Sequence, residues 1–409
     1  MSKHRVLLVS TNFWPEPAGI SVYATDVAKH LSGNGFDVTV LTGVPHYPWW
    51  HTPKEYLNLT EGTSVHENIQ VIRGKHFIPR IFSVIQRIKF EISLWWNLSR
   101  VYNRTNSSHF DAVIAFTPTV AAGLIGKNVG RKLNIPFGVI VQDLSGLSAI
   151  QSGLKGGMLI SGTVKSIENK VLSAADSVVV ISPEMEEVLT LGKIDPTKVS
   201  MILNYTVGNI VKQNKDESKR YMGWKEEDFI VVHAGNMGAK QDLENVIEAA
   251  EYLLPETRIR IFIVGHGNQE SKLKDKSNGK ANITILPGVS DADFSTLLSA
   301  ADLLLVNERN TQIDMSLPSK LTTYLCSNRP VLAAIAPGGA TWRYLEGIAE
   351  LVEAGKPRDL AIAIKKLASD PSLCDSMALR GEDFALANLR PEIGRKKYQD
   401  WVTRLISDK

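Results

Sequence analysis

Cysteine is scarce: 409 residues hold only Cys326 and Cys374. Neither has metal-ligand spacing, which excludes a disulfide scaffold and fits a reducing compartment. No uninterrupted apolar run of about 18 residues occurs, so no transmembrane helix is expected. The amino end, MSKHRVLLVST, passes at once into an apolar run of about five residues, too short for a secretory signal core. Charge of one sign is also lacking. Lys and Arg total 46 against 43 Asp and Glu, a formal +3, which argues against a nucleic-acid partner. A dinucleotide fingerprint is missing as well. The stretch STNFWPEPAGISVY (10–23) has no G-x-G-x-x-G. In VGHGNQESKL (264–273), Gly265 and Gly267 supply half of one, with Glu270 at the last position. Hydride transfer therefore loses ground.

What is present is an alternation of short apolar runs with helical patterns. RVLLVST (5–11), FDVTVLT (36–42), DAVIAFT (111–117), PFGVIVQD (136–143) and DSVVVIS (176–182) read as buried strands. Continuous apolar strands separated by helices imply an α/β fold with a doubly wound parallel sheet. After MILNYTV (201–207) the polar stretch GNIVKQNKDESKRYMGWKEED (208–228) reads as an interdomain connection. The pattern then restarts with FIVVHAG (229–235), RIRIFIVG (258–265), NITILPG (282–288), DLLLVN (302–307) and PVLAAI (330–335). The length exceeds one ordinary core, and two domains are expected, 1–207 and 208–391. A last helix, 392–409, is expected to cross back to the first domain.

The candidate chemistry gathers at two strand-to-helix junctions. GNMGAKQDLENVIEAA (235–250) places Gly235, Asn236, Gly238 and Lys240 ahead of a helix with a 3.6-residue apolar stripe. LPSKLTTYL (317–325) repeats the arrangement with Pro318, Ser319, Lys320 and Leu321, proline suiting a first helical position. A lysine in a first helical turn opposes the helix dipole unless an anion offsets it. Two such lysines in one domain suggest a shared anion at the carboxyl ends of the strands. The alternative is a pair of plain turns with solvated lysines.

Other features weigh less. DAD (291–293) reads as capping by Ser290 or Asp291, and no metal is expected. Gln142 and Asp143 end a first-domain strand, where an aspartate is often a cap. TGVPHYPWWHTPKEY (42–56) offers His46, Tyr47, Trp49 and Trp50 either to an acceptor pocket or to loop packing. The stretch 76–104 combines apolar and aromatic residues, including Trp95 and Trp96, with Arg80, Arg87, Lys89, Arg100 and Arg104. That composition suits an anionic membrane surface, and equally a helix with a solvated basic face.

The order and spacing of GNMGAKQDLENVIEAA, VGHGNQESKL, LPGVSDADFSTLLSAAD and LPSKLTTYL resemble the nucleotide-sugar-binding half of family 4 glycosyltransferases. TNFWPEPAGISVYATDVAKHLSGNGFDVTVLTGVPHYPWW and VQDLSGLSAIQSGL are similar to the WcaI-like branch, associated with colanic acid and related exopolysaccharides. The resemblance covers nearly the whole chain. It implies a GT-B fold, two Rossmann-like domains facing across a cleft, and retaining sugar transfer from a GDP- or UDP-linked donor without a metal or other cofactor. Carried over residue by residue, it puts the donor diphosphate on Gly235, Asn236, Gly238, Lys240, Pro318, Ser319, Lys320 and Leu321. Gly265, Leu286 and Pro287 fall near the nucleoside. Gly19 falls near the acceptor and phosphate and Asp143 near the reacting sugar, with Asp143 and Lys240 in catalytic roles; His46 and Tyr47 join the acceptor side from the loop composition alone.

Two departures stand out. The second glutamate of the family's E-x7-E pair is absent from Leu321-Thr322-Thr323-Tyr324, with Glu308 the nearest candidate for the first. The arginine often found after the strand glycine is Asn236. They leave open a non-catalytic nucleotide-sugar-binding homologue, or another GT-B enzyme such as a nucleotide-sugar epimerase. The favoured expectation is a transferase acting on a polyprenyl-diphosphate-linked saccharide at the cytoplasmic face of the inner membrane. The basic aromatic stretch (Arg80, Arg87, Lys89, Trp95, Trp96, Arg100) would meet the lipid surface.

Overall fold

The computed structural model describes residues 3–80, 83–105, 109–144, 157–208, 210–310, 315 and 317–408, with backbone alone at 157–160 and 291. The chain forms two units, residues 1–203 with 394–409, and residues 204–393.

In the first unit, β1 (His4–Val9), β2 (Phe36–Gly43), β4 (Ile69–Gly74), β5 (Ala112–Thr117), β6 (Phe137–Val141), β7 (Ser177–Val180) and β8 (Val199–Met201) run parallel, and β3 (Gly62–His66) pairs antiparallel with β4. The order across the sheet is β3-β4-β2-β1-β5-β6-β7-β8. Val6 to Val9 and Ala112 to Phe116 are fully buried, because helices cover both faces and no alternation with polar residues is required. These helices are α1 (Ile20–Gly33), α2 (Val84–Arg104), α3 (Val120–Leu133), α4 (Gly157–Leu172) and α5 (Pro183–Leu191). The final helix, α14 (Pro391–Ser407), also packs here. Arg395 makes a bidentate pair with Asp26 at 2.6 and 2.9 Å, and Trp401 Nε1 donates to Ser177 Oγ at 2.8 Å. A Cβ on Gly138 would come within 2.6 Å of the Trp401 ring, so the strand is bare where the indole lies.

In the second unit, β9 (Phe229–Ala234), β10 (Ile259–Val264), β11 (Ile283–Leu286), β12 (Leu303–Asn307), β13 (Val331–Ile335) and β14 (Glu350–Glu353) form a parallel sheet in the order β11-β10-β9-β12-β13-β14. Counted within the unit this is 3-2-1-4-5-6, the dinucleotide-fold order, whose topological switch point lies between β9 and β12. The covering helices are α6 (Lys215–Tyr221), α7 (Leu243–Tyr252), α8 (Glu270–Ser277), α9 (Asp291–Ala300), α10 (Ser319–Leu325), α11 (Ala340–Leu345), α12 (Pro357–Ser369) and α13 (Pro371–Asn388). Val246, Ile247, Ala250 and Leu253 of the α7 stripe lie in the core with Ile261, Ile263, Leu303 and Leu305.

The stretch 208–228 is more than a connection. Asn214 caps α6 by accepting from Glu217 N. The buried Lys219 pairs with Asp302 at 2.6 Å and donates to the Glu226 and Asp228 carbonyls. Trp224 stacks on Phe262 at 4.2 Å. Its polarity misleads because a buried lysine satisfied by three oxygens looks, in sequence, like a solvated one. The chain has also turned to the second unit before residue 208: Thr206 N donates to the Leu389 carbonyl at 3.1 Å.

Candidate functional site

The switch point of the second unit collects the residues around the two lysines. Strand β9 ends at Gly235, and the turn after it is stitched to the turn after β10. Gly235 N donates to the Val264 carbonyl at 2.9 Å, Met237 N to the His266 carbonyl at 2.8 Å, and Gln269 N to the Met237 carbonyl at 3.0 Å. The turns touch backbone to backbone, since a Cβ on Gly267 would lie 2.4 Å from the Met237 carbonyl oxygen. Gly265 N in turn donates to the Leu286 carbonyl at 3.1 Å. That bond places Leu286, half-buried, and Pro287, exposed, beside the β10 turn. Asn236 is exposed at the tip, and Gly238 N donates to Gln241 Oε1 at 3.2 Å.

Lys240 stands differently from its sequence reading. It lies in a 3₁₀ turn, Ala239–Gln241, separated from α7 by Asp242 in the left-handed region at φ 44°. The first turn of α7 itself carries Glu244, the sign the dipole favours. The dipole argument therefore does not apply to Lys240. Tertiary contacts place it instead. Asn307, fully buried at the end of β12, donates from Nδ2 to the carbonyls of Gln241 and Asp242 at 2.8 and 2.9 Å, and accepts from Asn245 Nδ2 at 2.8 Å. Arg309 N donates to the Lys240 carbonyl at 3.0 Å. Lys240 Nζ, 43% exposed, lies 4.0 Å from the buried Glu308 carboxylate.

Lys320 is in the first turn of α10. Its Nζ approaches His233 Nε2 at 3.3 Å and lies over Gly235, where an added Cβ would be 3.8 Å from it. Burial pushes its ammonium down to about 8, with Glu308 opposing the shift and Lys240 adding to it. Both lysines and Glu308 lie at the carboxyl ends of β9 and β12. Tyr324 locks α10 against β9, accepting from Ala234 N at 2.7 Å and donating to its carbonyl at 3.0 Å. Pro318 precedes the helix, Ser319 is exposed, and Leu321 is buried in the core. In the helix where the resemblance expects the second glutamate, Thr323 donates to the Ser319 carbonyl at 3.2 Å. Among the described residues, no group of three or more His, Cys, Asp or Glu could hold a metal ion.

In the first unit, Gly19 and Tyr47 come together. Gly19 precedes α1 at φ 69°, and a Cβ there would be 3.1 Å from the tyrosine ring. The residue that holds this arrangement was missed in the sequence. Glu16, buried, accepts from His46 N at 2.6 Å and Tyr47 N at 2.8 Å through one oxygen, and from Asn12 Nδ2 at 2.7 Å through the other. The same Oε1 lies 3.2 Å from His46 Nδ1. Arg73, buried nearby, donates to Ser64 Oγ and the Trp14 carbonyl at 2.9 and 2.8 Å. Burial lowers its guanidinium to about 10 and Glu16 opposes that shift. His46 is buried and meets His76 edge to face at 4.6 Å; it supports the loop from below. The rings of Tyr47, Trp49, Trp50 and Tyr56 are all half-buried, with Tyr47 on Trp50 at 5.8 Å and Trp49 on Tyr56 at 5.7 Å. A lone Glu beside prolines carries no signal in a single sequence. Asp143, half-buried after β6, accepts from Leu144 N at 2.8 Å. The sequence motif beyond it, 145–156, lies outside the described residues.

Helix α2 carries most of the basic aromatic stretch; Ile81 and Phe82 lie outside the described residues. Ser83 caps it by accepting from Gln86 N. Phe90, Leu94, Leu98 and Val101 face the core. The opposite face exposes Ile85, Ile88, Ile92 and Trp96, with Ile85 67% and Trp96 63% exposed. Arg87 is paired with Glu91 at 3.1 Å and Arg100 with Glu61 at 3.2 Å. Lys89 sits exposed among the isoleucines, Arg80 is exposed ahead of the helix, and Trp95 is half-buried. No helix among the described residues is long and apolar enough to cross a membrane.

Comparison with known proteins bears on both units. Residues 214–384 match the family described as "Glycosyl transferases group 1", and residues 18–204 match "Glycosyl transferase 4-like domain". The chain is 27% identical over 383 residues to the putative colanic acid biosynthesis glycosyl transferase WcaI of Escherichia coli K12, covering 88% of this chain and 91% of the relative. Among solved structures, sucrose-phosphate synthase from Thermosynechococcus elongatus superposes with TM-score 0.74 at 16% identity over the whole of both chains. HepE of Anabaena, solved with UDP, superposes with TM-score 0.71 at 14% identity, over 98% of this chain and 99% of that one.

Proposed function

The chain belongs to the family 4 glycosyltransferases of GT-B fold, and from that premise we propose that it moves a sugar from a GDP- or UDP-linked donor to a lipid-linked saccharide. The observation that carries the donor half is the placement of Lys240, beside Glu308, and of Lys320, over Gly235, at the switch point of the 3-2-1-4-5-6 sheet. Ligands of open α/β sheets bind outside the carboxyl ends of the strands at that point. Cleavage of a glycosyl–phosphate bond leaves negative charge on the departing diphosphate. Ammonium groups already fixed there stabilise it without reorganisation, and stabilisation of this kind usually lowers the barrier more than any other effect. The turns at Gly235–Gly238 and Gly265, with Leu286 and Pro287, supply backbone surface for the nucleoside. HepE, of the same fold, binds UDP, which supports a nucleotide donor.

We assign the acceptor side to the first unit, to Gly19, the Tyr47 loop and Asp143. Asp143 orients the acceptor hydroxyl or stabilises positive character on the sugar, in a retaining transfer that requires no metal. The exposed isoleucine and tryptophan face of α2, with Lys89 within it and Arg80 ahead of it, fits the surface of an anionic bilayer. This supports a polyprenyl-diphosphate-linked acceptor and a peripheral position at the cytoplasmic membrane face, and the likeness to the putative colanic acid biosynthesis glycosyl transferase WcaI supports a place in exopolysaccharide synthesis. The direct test is transfer from radiolabelled GDP- and UDP-sugars to a bacterial lipid extract. Wild type is expected to label lipid, and Lys320→Ala to label at least about tenfold less. Labelling unchanged in Lys320→Ala contradicts the assignment.

A further inference from the structure

Strand β9 puts a histidine, fully buried, directly beneath one of the two lysines. His233 Nδ1 lies 3.1 Å from the Leu305 carbonyl oxygen, an acceptor only, so Nδ1 carries the proton. Burial, and then Lys320 beside it, hold the imidazole well below its ordinary value, against the opposing Leu305 carbonyl. The ring is therefore neutral and its Nε2 is a lone-pair acceptor. Lys320 Nζ is 3.3 Å from that lone pair.

An ammonium in a partly dry site needs acceptors for its three hydrogens. The other polar groups nearby do not serve Lys320 in the same way. The Tyr324 hydroxyl is committed to both backbone groups of Ala234. Glu308 faces from the end of β12 and lies 4.0 Å from Lys240. Lys240 faces from the 3₁₀ turn and repels. A leucine or valine, the ordinary choice for a buried strand, would fill the space and offer nothing to the ammonium.

We propose that His233 is a positioning residue for nucleotide-sugar binding: its Nε2 accepts one hydrogen of the Lys320 ammonium and holds the others over Gly235, toward the diphosphate. The inference rests on Lys320 as a diphosphate ligand, and deepens it by naming what sets the lysine's place and protonation. Deprotonation of Lys320 removes its charge and leaves only the weaker hydrogen bond of a neutral amine to His233. In the nucleotide-free protein this happens as pH rises through about 8. Diphosphate affinity is therefore full below that pH and falls above it.

Two variants separate positioning from support of the fold. In His233→Asn the amide nitrogen can still donate to the Leu305 carbonyl, but nothing reaches Lys320. In His233→Gln the amide oxygen can stand where Nε2 stood. The amine of Lys320 is titrated by trace acetylation with acetic anhydride across pH 6–10, read by mass spectrometry of the Lys320 peptide. UDP and GDP affinities are measured by calorimetry at the same pH values.

In wild type the acetylation limb is expected near pH 8. In His233→Asn it is expected about one unit lower, with nucleotide affinity at pH 7 about tenfold weaker; in His233→Gln both stay near wild type. The proposal is overturned if the asparagine variant titrates like wild type, or loses affinity equally at every pH with the limb unmoved. If the asparagine variant fails to fold, the glutamine variant decides: a wild-type limb supports the proposal and a lowered one overturns it. The donor-site reading fails separately. A limb that moves with His233 while Lys320→Gln leaves UDP and GDP affinity intact would mean that the histidine holds a lysine the diphosphate does not use.

Discussion

A Cβ on Gly265 would stand 1.9 Å from the carbonyl oxygen of Gly235. Contact that close joins the turns after β9 and β10 into one surface. Gly265 also holds φ at 150°, where a side chain is strained whatever the space. Gly265→Ala is thus expected to push the β9 turn away from the lysines. The expected cost is about 3 kcal/mol or more in urea unfolding, with nucleotide affinity lost. Gly279→Ala, at a positive φ with nothing near the added Cβ, is the control and is expected to leave affinity unchanged.

Glu16 gives a second prediction. Its carboxylate receives two backbone N–H groups of the 46–47 segment. Glu16→Ala leaves both donors without that partner, at about 1–3 kcal/mol each. A loss of about 3 kcal/mol in urea is expected, along with a rise in the acceptor's KM. Glu16→Gln keeps one acceptor oxygen and is expected to lose less than half as much.

The histidine pair supplies a pH dependence. Burial, and then His46 beside it, lower His76 to about 3, against an opposing pull from the Gly74 backbone. A depressed histidine means the unfolded chain binds the extra proton. Stability is therefore full above about pH 6.5 and declines as pH falls toward about 3, by up to ~1.4 kcal/mol per pH unit. The slope of unfolding free energy between pH 6.5 and 4.5 is expected to flatten in His76→Phe, whose ring takes the place of the imidazole against Phe90. An unchanged slope would assign acid sensitivity elsewhere.

Helix α2 predicts lipid binding. Wild type is expected to co-float with phosphatidylglycerol vesicles and not with phosphatidylcholine vesicles. Lys89→Glu weakens this by about fivefold or more, near 1 kcal/mol per basic group. Ile92→Asp together with Trp96→Asp abolishes it by removing the apolar face. Equal flotation of all variants would leave α2 as a helix with an exposed apolar stripe and no lipid role.

The sequence carried the sheets best where strands are buried on both faces. VLLV, AVIAF and LLLV read as strands because no polar alternation interrupts them. The β3–β4 hairpin was missed for the converse reason. Val65 is 74% exposed, and the two-residue turn is Glu67-Asn68, both at positive φ, without the glycine that marks such turns. The lysines were legible as residue types at junctions, but the helix dipole that sequence suggests for Lys240 is made irrelevant by the intervening Asp242. Glu16, His233 and Asn307 were illegible because their roles depend on partners tens of residues away in sequence, such as Asn307 on Gln241. A buried polar residue announces itself only once its partner is in place.

Lys240 and Lys320 are proposed to hold a nucleotide diphosphate. This is tested most directly by thermal unfolding with GDP, UDP and ADP, on wild type, Lys240→Ala and Lys320→Ala. A nucleotide at about 100 times its dissociation constant adds about 2.7 kcal/mol of stability. GDP or UDP is expected to stabilise wild type by about that amount, with Lys240→Ala reducing the gain and Lys320→Ala removing most of it. Equal stabilisation of all three proteins, or none for wild type with any nucleotide, would contradict the proposal.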